Sequence, residues 1–205
     1  RIVVTRGVGP IALDPAQADE PRLVVIVKEV RTPPPSAYRE GIELAFVDVV
    51  RNVPNALDPS AKTGNYLNNI LALRQARERG ADEAVMCNVE GKVSEGASSN
   101  LFVVRRGEAL TPPLAAGILE GITRGRILAL ASEIGISARE VDLEPSDVTT
   151  ADEVFITSSI RELLPVASCD GIRIGSAVPG PVTRRLHDAY RASIASEVEA
   201  LAGSE

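Results

Sequence analysis

Four short segments carry residue types at spacings that could do chemistry. The first is Lys62-Thr63-Gly64-Asn65-Tyr66, where a loop gives way to a helical pattern. An amine there could attack a carbonyl carbon, and a phenol one helical turn on would lie near it. A lone lysine is otherwise a solvated surface charge. The second is Ser94-Glu95-Gly96-Ala97-Ser98-Ser99-Asn100. Its carboxylate stands among small residues, which would let it face a ring nitrogen closely; a polar loop between strands reads the same way. The third, Gly121-Ile122-Thr123-Arg124, directly precedes a helix. Thr123 could simply cap that helix. Free amides and the helix dipole could equally bind a phosphate. The fourth is Thr157-Ser158-Ser159 at a strand end, whose hydroxyls could close a turn or complete a phosphate cup. A further stretch, Gly7-Val8-Gly9-Pro10-Ile11-Ala12, matches the loose dinucleotide fingerprint. That fingerprint must open a helix, whereas Pro10 removes an amide and Leu13-Asp14-Pro15 is not a helix start, so it is set aside.

The elements that must position these groups follow from periodicity. Apolar, β-branched runs predict strands over 2–5, 23–30 and 44–50. Residues 32–36, with three consecutive prolines, predict a stiff connector that is neither central strand nor helix. Residues 55–62 read as a loop, and helical spacing runs from Tyr66 to a stop at Gly80. Strands are then predicted over 83–89, 101–105, 139–143, 153–157 and 164–168. Residues 94–100 read as a polar loop, and helices span roughly 123–135 and 181–201. Strands and helices interleave without strict alternation. The expected fold class is α/β, or α+β, with a mixed sheet. The chain opens at Arg1 straight into a strand-like segment, which reads as starting in the middle of a fold.

Composition excludes several function classes. The net charge of −6, with no run of Lys or Arg, argues against nucleic-acid or anionic-membrane partners, which need concentrated basic surface. Cys87 and Cys169 have neither metal-like spacing nor a disulfide framework, so no metal is expected and a reducing cytoplasm is the default. No stretch is long and apolar enough to cross a bilayer. The single histidine, His187, falls in the last helix and reads as a surface residue.

Taken in order, Lys-Thr-x-Asn-Tyr-Leu, Ser-Glu-Gly-x-x-Ser-Asn-Leu-Phe, Leu-x-Gly-Ile-Thr-Arg and Glu-Val-Phe-Ile-Thr-Ser-Ser with a downstream Leu-Pro-Val resemble the fold-type IV pyridoxal 5'-phosphate (PLP) enzymes, the class IV aminotransferase family. The resemblance runs from Thr5-Arg6-Gly7 to the last helix. It implies that residues 1–205 are the PLP-binding domain, with the end of an inter-domain connection near residues 1–40. A smaller N-terminal domain, which the family carries, would precede this chain. The resemblance further implies that Lys62 forms the internal aldimine and shuttles the substrate proton. Glu95 would keep the pyridine nitrogen protonated, which stabilises a carbanion at the substrate α-carbon. Tyr66 would hydrogen-bond the phenolic oxygen and Leu119 would pack on the ring. Gly121, Ile122 and Thr123, with Ser158 and Ser159, would hold the phosphate.

Within the family, the D-amino-acid branch places an Arg and a His after the Thr-Arg-Gly strand. This chain has Ile11 and Leu13 there, and neither binds a carboxylate. The apolar stretch is similar to the branched-chain branch, where a backbone turn, here Ser159-Ile160, holds the substrate carboxylate. The resemblance therefore implies transfer of the amino group of an aliphatic L-amino acid to 2-oxoglutarate, by a homodimer. Aminodeoxychorismate lyase, amine transaminase and D-amino-acid transaminase remain alternatives, as does a non-catalytic remnant; the lyase is equally compatible with Arg161.

Overall fold

The computed structural model describes residues 1–203, which divide into two compact units, one of residues 1–31 and a second that begins at Thr32. In the first, β1 (Ile2–Thr5) and β2 (Arg22–Val25) pair antiparallel, Val3 opposite Val24. The Arg6 guanidinium donates to the Pro15 carbonyl from Nε (3.2 Å) and Nη2 (2.9 Å). After Gly7-Val8-Gly9 comes a single 3-10 turn, Pro15–Gln17, capped by Asp14, so the glycine pair opens no α-helix. The strand predicted over 23–30 stops at Val25. Ile11 and Leu13 are fully exposed.

The second unit begins with α1 (Pro35–Glu40), where only a connector is predicted. Proline is excluded from helix interiors, but at the first helical position its missing N–H is one that has no intrahelical partner anyway. Then follow β3 (Ile42–Phe46), α2 (Leu67–Glu78), β4 (Glu83–Cys87), β5 (Val93–Gly96), β6 (Asn100–Arg105) and β7 (Glu108–Thr111). Next are α3 (Ile122–Glu133), β8 (Ala138–Glu140), α4 (Pro145–Thr149), β9 (Glu153–Ser158), β10 (Glu162–Cys169), β11 (Ile172–Arg173) and α5 (Pro181–Ala202). The sheet order is β5-β4-β3-β10-β9-β6-β7-β8, with β11 beside β10. β3 pairs parallel to both β4 and β10, as does β7 to β8; the other pairings are antiparallel. The mixed α/β expectation is met.

The central strands are buried on both faces, which explains their continuous apolar runs. Successive side chains point to opposite sides. Leu101 and Val103 of β6, Val154 and Ile156 of β9, and Leu164 and Val166 of β10 enter one core. Phe102, Val104, Phe155 and Leu163 enter the other, under α3 and α5. There Phe102 and Phe155, partners across β6 and β9, stack with ring centroids 4.8 Å apart. A third cluster of small residues, including Ala45, Ala72, Ala76 and Ala84, seats α2 against β3 and β4.

Two local expectations are corrected, and one short helix is added where no element is predicted. The polar loop 94–100 is instead the end of β5, a tight turn and the start of β6. All four β5 residues are buried, because their polar atoms are partnered inside. Residues 145–149 form a helix that polarity concealed, with Glu144 and Asp147 as a reciprocal capping box. His187 is not a surface residue: its side chain is 14% exposed, stacks on Tyr38 with centroids 5.5 Å apart, and lies 2.7 Å from the Glu162 carboxylate.

Candidate active site

A cavity of about 710 Å³ opens in the second unit. The structure brings Lys62, Tyr66 and Glu95 to its wall, together with Leu119, Gly121, Ile122 and Thr123. Ser158 and Ser159 close another side. Ile160 does not line it and is 53% exposed.

Glu95 is the buried polar centre, 5% exposed. β5 carries it inward, and each carboxylate oxygen is engaged. Oε1 lies 2.8 Å from Arg51 Nη2. Oε2 accepts from the Leu119 amide at 3.0 Å and from Asn100 Nδ2 at 3.4 Å. Burial pushes the carboxyl up from 4.5 to about 7, against the pull of Arg51, the Leu119 amide and the positive charge of Lys62. The folded protein therefore takes up this proton more readily than the unfolded chain. Stability from Glu95 is fully present below its ordinary value of 4.5 and falls as pH rises through about 7. The expected decline is about 3 kcal/mol, and Glu95→Gln should remove it. Urea unfolding of both proteins at about pH 5 and about pH 8 measures the slope; parallel curves would contradict the assignment.

Arg51 has no counterpart among the four sequence motifs. It lies 8% exposed just after the apolar run 44–50, where a charged residue reads equally well as a solvated strand end. Its Nε donates to the Gly117 carbonyl at 3.2 Å and Nη1 to Asn68 Oδ1 at 3.4 Å, so it joins three segments around the carboxylate.

The 119–123 segment forms one wall. Asn100 Nδ2 donates to the Leu119 carbonyl at 2.8 Å. Gly121, at φ 67°, caps α3 without a side chain, and a Cβ there would stand 2.0 Å from Asn100 Oδ1. Only glycine fits both the backbone and the space. A Gly121→Ala variant should lose about 1–3 kcal/mol and several degrees of Tm in thermal unfolding. An unchanged Tm would show that the segment relaxes freely. Arg124, the last residue of that motif, turns away: its side chain is 2% exposed and donates to Thr111 Oγ1 (3.3 Å), the Pro112 carbonyl (2.8 Å) and the Glu140 carboxylate. It anchors the helix start from behind.

Lys62 projects from the irregular segment before α2 and is exposed. The turn ahead of it is organised by Asp58 Oδ1, which accepts from the Ser60 amide (2.9 Å) and hydroxyl (2.8 Å). Opposite, Thr157 is 1% exposed, and its hydroxyl has no hydrogen-bond partner among the described residues although it lines the cavity. A buried hydroxyl without a partner costs free energy unless a bound group completes it. An uncapped start of α3 and that hydroxyl, both lining the cavity, suit an anion; an amine and a buried carboxylate in the same lining suit an electrophilic ring bearing a basic nitrogen. Among the described residues, no cluster of metal-ligating side chains occurs, and no helix is long and apolar enough to cross a membrane.

The fold and the cavity define a class: an α/β domain that sets a loop amine, a buried carboxylate and a helix start around one opening. The chain belongs to the amino-transferase class IV family, whose model matches residues 1–169. It is 40% identical over 191 residues to a putative branched-chain-amino-acid aminotransferase of Methanocaldococcus jannaschii, covering 93% of this chain and 65% of that protein. The crystal structure of Escherichia coli branched-chain amino acid aminotransferase superposes with TM-score 0.87 at 35% identity, over 93% of this chain and 64% of that one. The PLP form of the enzyme from Thermobaculum terrenum gives 0.77 at 31%, over 91% and 61%. The chain thus spans less than two thirds of the length of these relatives.

Proposed function

We propose that the protein containing this chain is a PLP-dependent aminotransferase that moves the amino group of an L-amino acid, branched-chain or aliphatic, to 2-oxoglutarate. The observation that carries the reading is the convergence of Lys62, Glu95 and the start of α3 on one cavity, in a chain whose relatives are branched-chain aminotransferases. The buried, unpartnered hydroxyl of Thr157 and the glycine-only turn at Gly121 fit a phosphate-bearing group.

When bound, PLP supplies the electron sink that stabilises negative charge at the substrate α-carbon. Residues 1–205 belong to the cofactor-binding domain, with the end of an inter-domain connection near residues 1–40. Lys62 provides the amine that anchors the cofactor and moves the α-proton. Glu95 holds the proton on the ring nitrogen, and Arg51 keeps Glu95 aimed. Tyr66 would hydrogen-bond the phenolic oxygen, and Leu119 would pack on the ring. Gly121, Ile122 and Thr123, with Ser158 and Ser159, bind the phosphate. The Ser159-Ile160 turn receives the substrate carboxylate through its backbone. The working form is a cytoplasmic homodimer, in keeping with two free cysteines and no disulfide.

The test uses the full-length protein. Its visible absorbance is recorded, single L-amino acids are added, and 2-oxoglutarate follows. Bleaching by leucine or valine and recovery with 2-oxoglutarate supports the reading. Pyruvate release from aminodeoxychorismate, with no response to amino acids, assigns the lyase instead. No visible band even with added PLP rejects both.

A further inference from the structure

Two segments that line the cavity are tied together from behind by a single ion pair. Glu83 stands at the start of β4, 1% exposed. Its carboxylate accepts from the Ala97 amide at 3.0 Å and from the hydroxyls of Ser98 (2.9 Å) and Ser99 (3.3 Å). Arg161 lies just past the end of β9. Its Nη1 donates to Glu83 Oε2 at 2.8 Å. Nη2 donates to the Ser98 carbonyl at 2.8 Å and hydroxyl at 2.9 Å. Nε donates to Ser158 Oγ at 3.2 Å. A guanidinium can do this because its donors lie in one rigid plane and point outward in several directions. The Arg161 carbonyl is held as well, by the Tyr38 hydroxyl at 3.2 Å. The next residue, Glu162, sits at φ 53°, its carboxylate bound by His187 and Arg191 at 2.7 Å each. A left-handed non-glycine residue persists only where its surroundings over-determine it.

Arg161 itself does not line the cavity, whereas Ser98, Ser158 and Ser159 do. We propose that Arg161, fixed by Glu83, is a positioning residue: it sets the separation between the Ser98 loop and the Ser158–Ile160 turn, and so how tightly that turn receives the substrate carboxylate. The inference rests on the aminotransferase reading. Backbone amides bind an anion well only when they are aimed beforehand, since ordering a turn on binding subtracts from affinity. Glu83 and Arg161 supply that aim from 78 residues apart in the chain.

The experiment uses the full-length protein with its cofactor and the variants Arg161→Met, Arg161→Lys and Ser98→Ala. The KM for L-leucine should rise on the order of ten- to a hundredfold in Arg161→Met, with kcat changing less, as for the loss of a charge-assisted contact. Arg161→Lys should recover only part, because an ammonium cannot span three segments. A second readout needs no turnover. In Arg161→Met, amide hydrogen exchange should quicken at 97–99 and 158–161 while β6 and β9 keep their protection. Should that variant fail to fold, Ser98→Ala removes one shared hydroxyl without stranding a charge, and it should shift KM and exchange in the same direction by less. A wild type that turns over, with KM unmoved in Arg161→Met and Ser98→Ala, overturns the proposal. So does exchange that quickens throughout the sheet. If the wild type binds no PLP and transaminates nothing, the aminotransferase reading falls, and local quickening at the two segments still decides whether Arg161 clamps them.

Discussion

A Lys62→Ala variant of the full-length protein is expected to lose the visible band of bound cofactor and to lower kcat/KM on the order of a thousandfold or more. The size follows from two roles resting on one amine. On the proposed reading Lys62 both anchors the cofactor and moves the α-proton, and the single histidine cannot replace it, being engaged with Glu162 and stacked on Tyr38 outside the cavity lining. Stability should hardly change, because Lys62 is exposed in an irregular segment. Absorbance, steady-state kinetics and thermal unfolding together separate chemistry from folding. A variant that kept both the band and more than about a tenth of the activity would reassign the amine.

The second large effect is expected at Arg51. Arg51→Met leaves the Glu95 carboxylate buried beside only an amide and an asparagine. Breaking one side of a buried pair costs about 3–5 kcal/mol, far more than a surface pair. It also drives the carboxyl further upward, because the strongest influence opposing burial has gone. The double variant Arg51→Met, Glu95→Gln should recover a good part of the loss, since no charge is then stranded. Equilibrium denaturation of the four proteins gives the cycle. A single-variant loss under about 1 kcal/mol would mean that water reaches the pair and that Glu95 is not the buried centre described.

The contrast between these residues shows what a sequence discloses. Lys62, Glu95 and the Gly121-Ile122-Thr123 run, which do line one cavity, stand out in the sequence because each pairs a chemical group with a local signal: a loop–helix junction, a cluster of small residues, a helix start. Arg51, Glu83 and Arg161 have no such signal. Their meaning lies in partners far along the chain, and an isolated arginine or glutamate reads as a solvated charge until the sheet brings them together. Elements behaved similarly. The runs through Phe102 and Phe155 announced buried strands, whereas β5 did not. Ser94, Glu95 and Gly96 look like a loop, and they are buried only because Arg51, Asn100 and neighbouring backbone complete their polar atoms. Helix α1 was hidden for the opposite reason, its prolines being read as breakers although Pro35 occupies the one turn that accepts them.

The place of β10 in the sheet also governs when the site can exist during synthesis. Residues 162–169 pair parallel to β3 on one side and antiparallel to β9 on the other, so the strand-to-strand hydrogen bonding between the two halves of the sheet runs through a strand made late. A nascent chain that has already emerged past Lys62, Glu95 and Thr123 is therefore expected to complete the cavity only once that strand has left the ribosome. Long-range parallel pairing of this kind is slow to form, and its unpaired edges are exposed to aggregation meanwhile. Cofactor added to a refolding reaction should accordingly raise the final yield of protein without quickening the first phase.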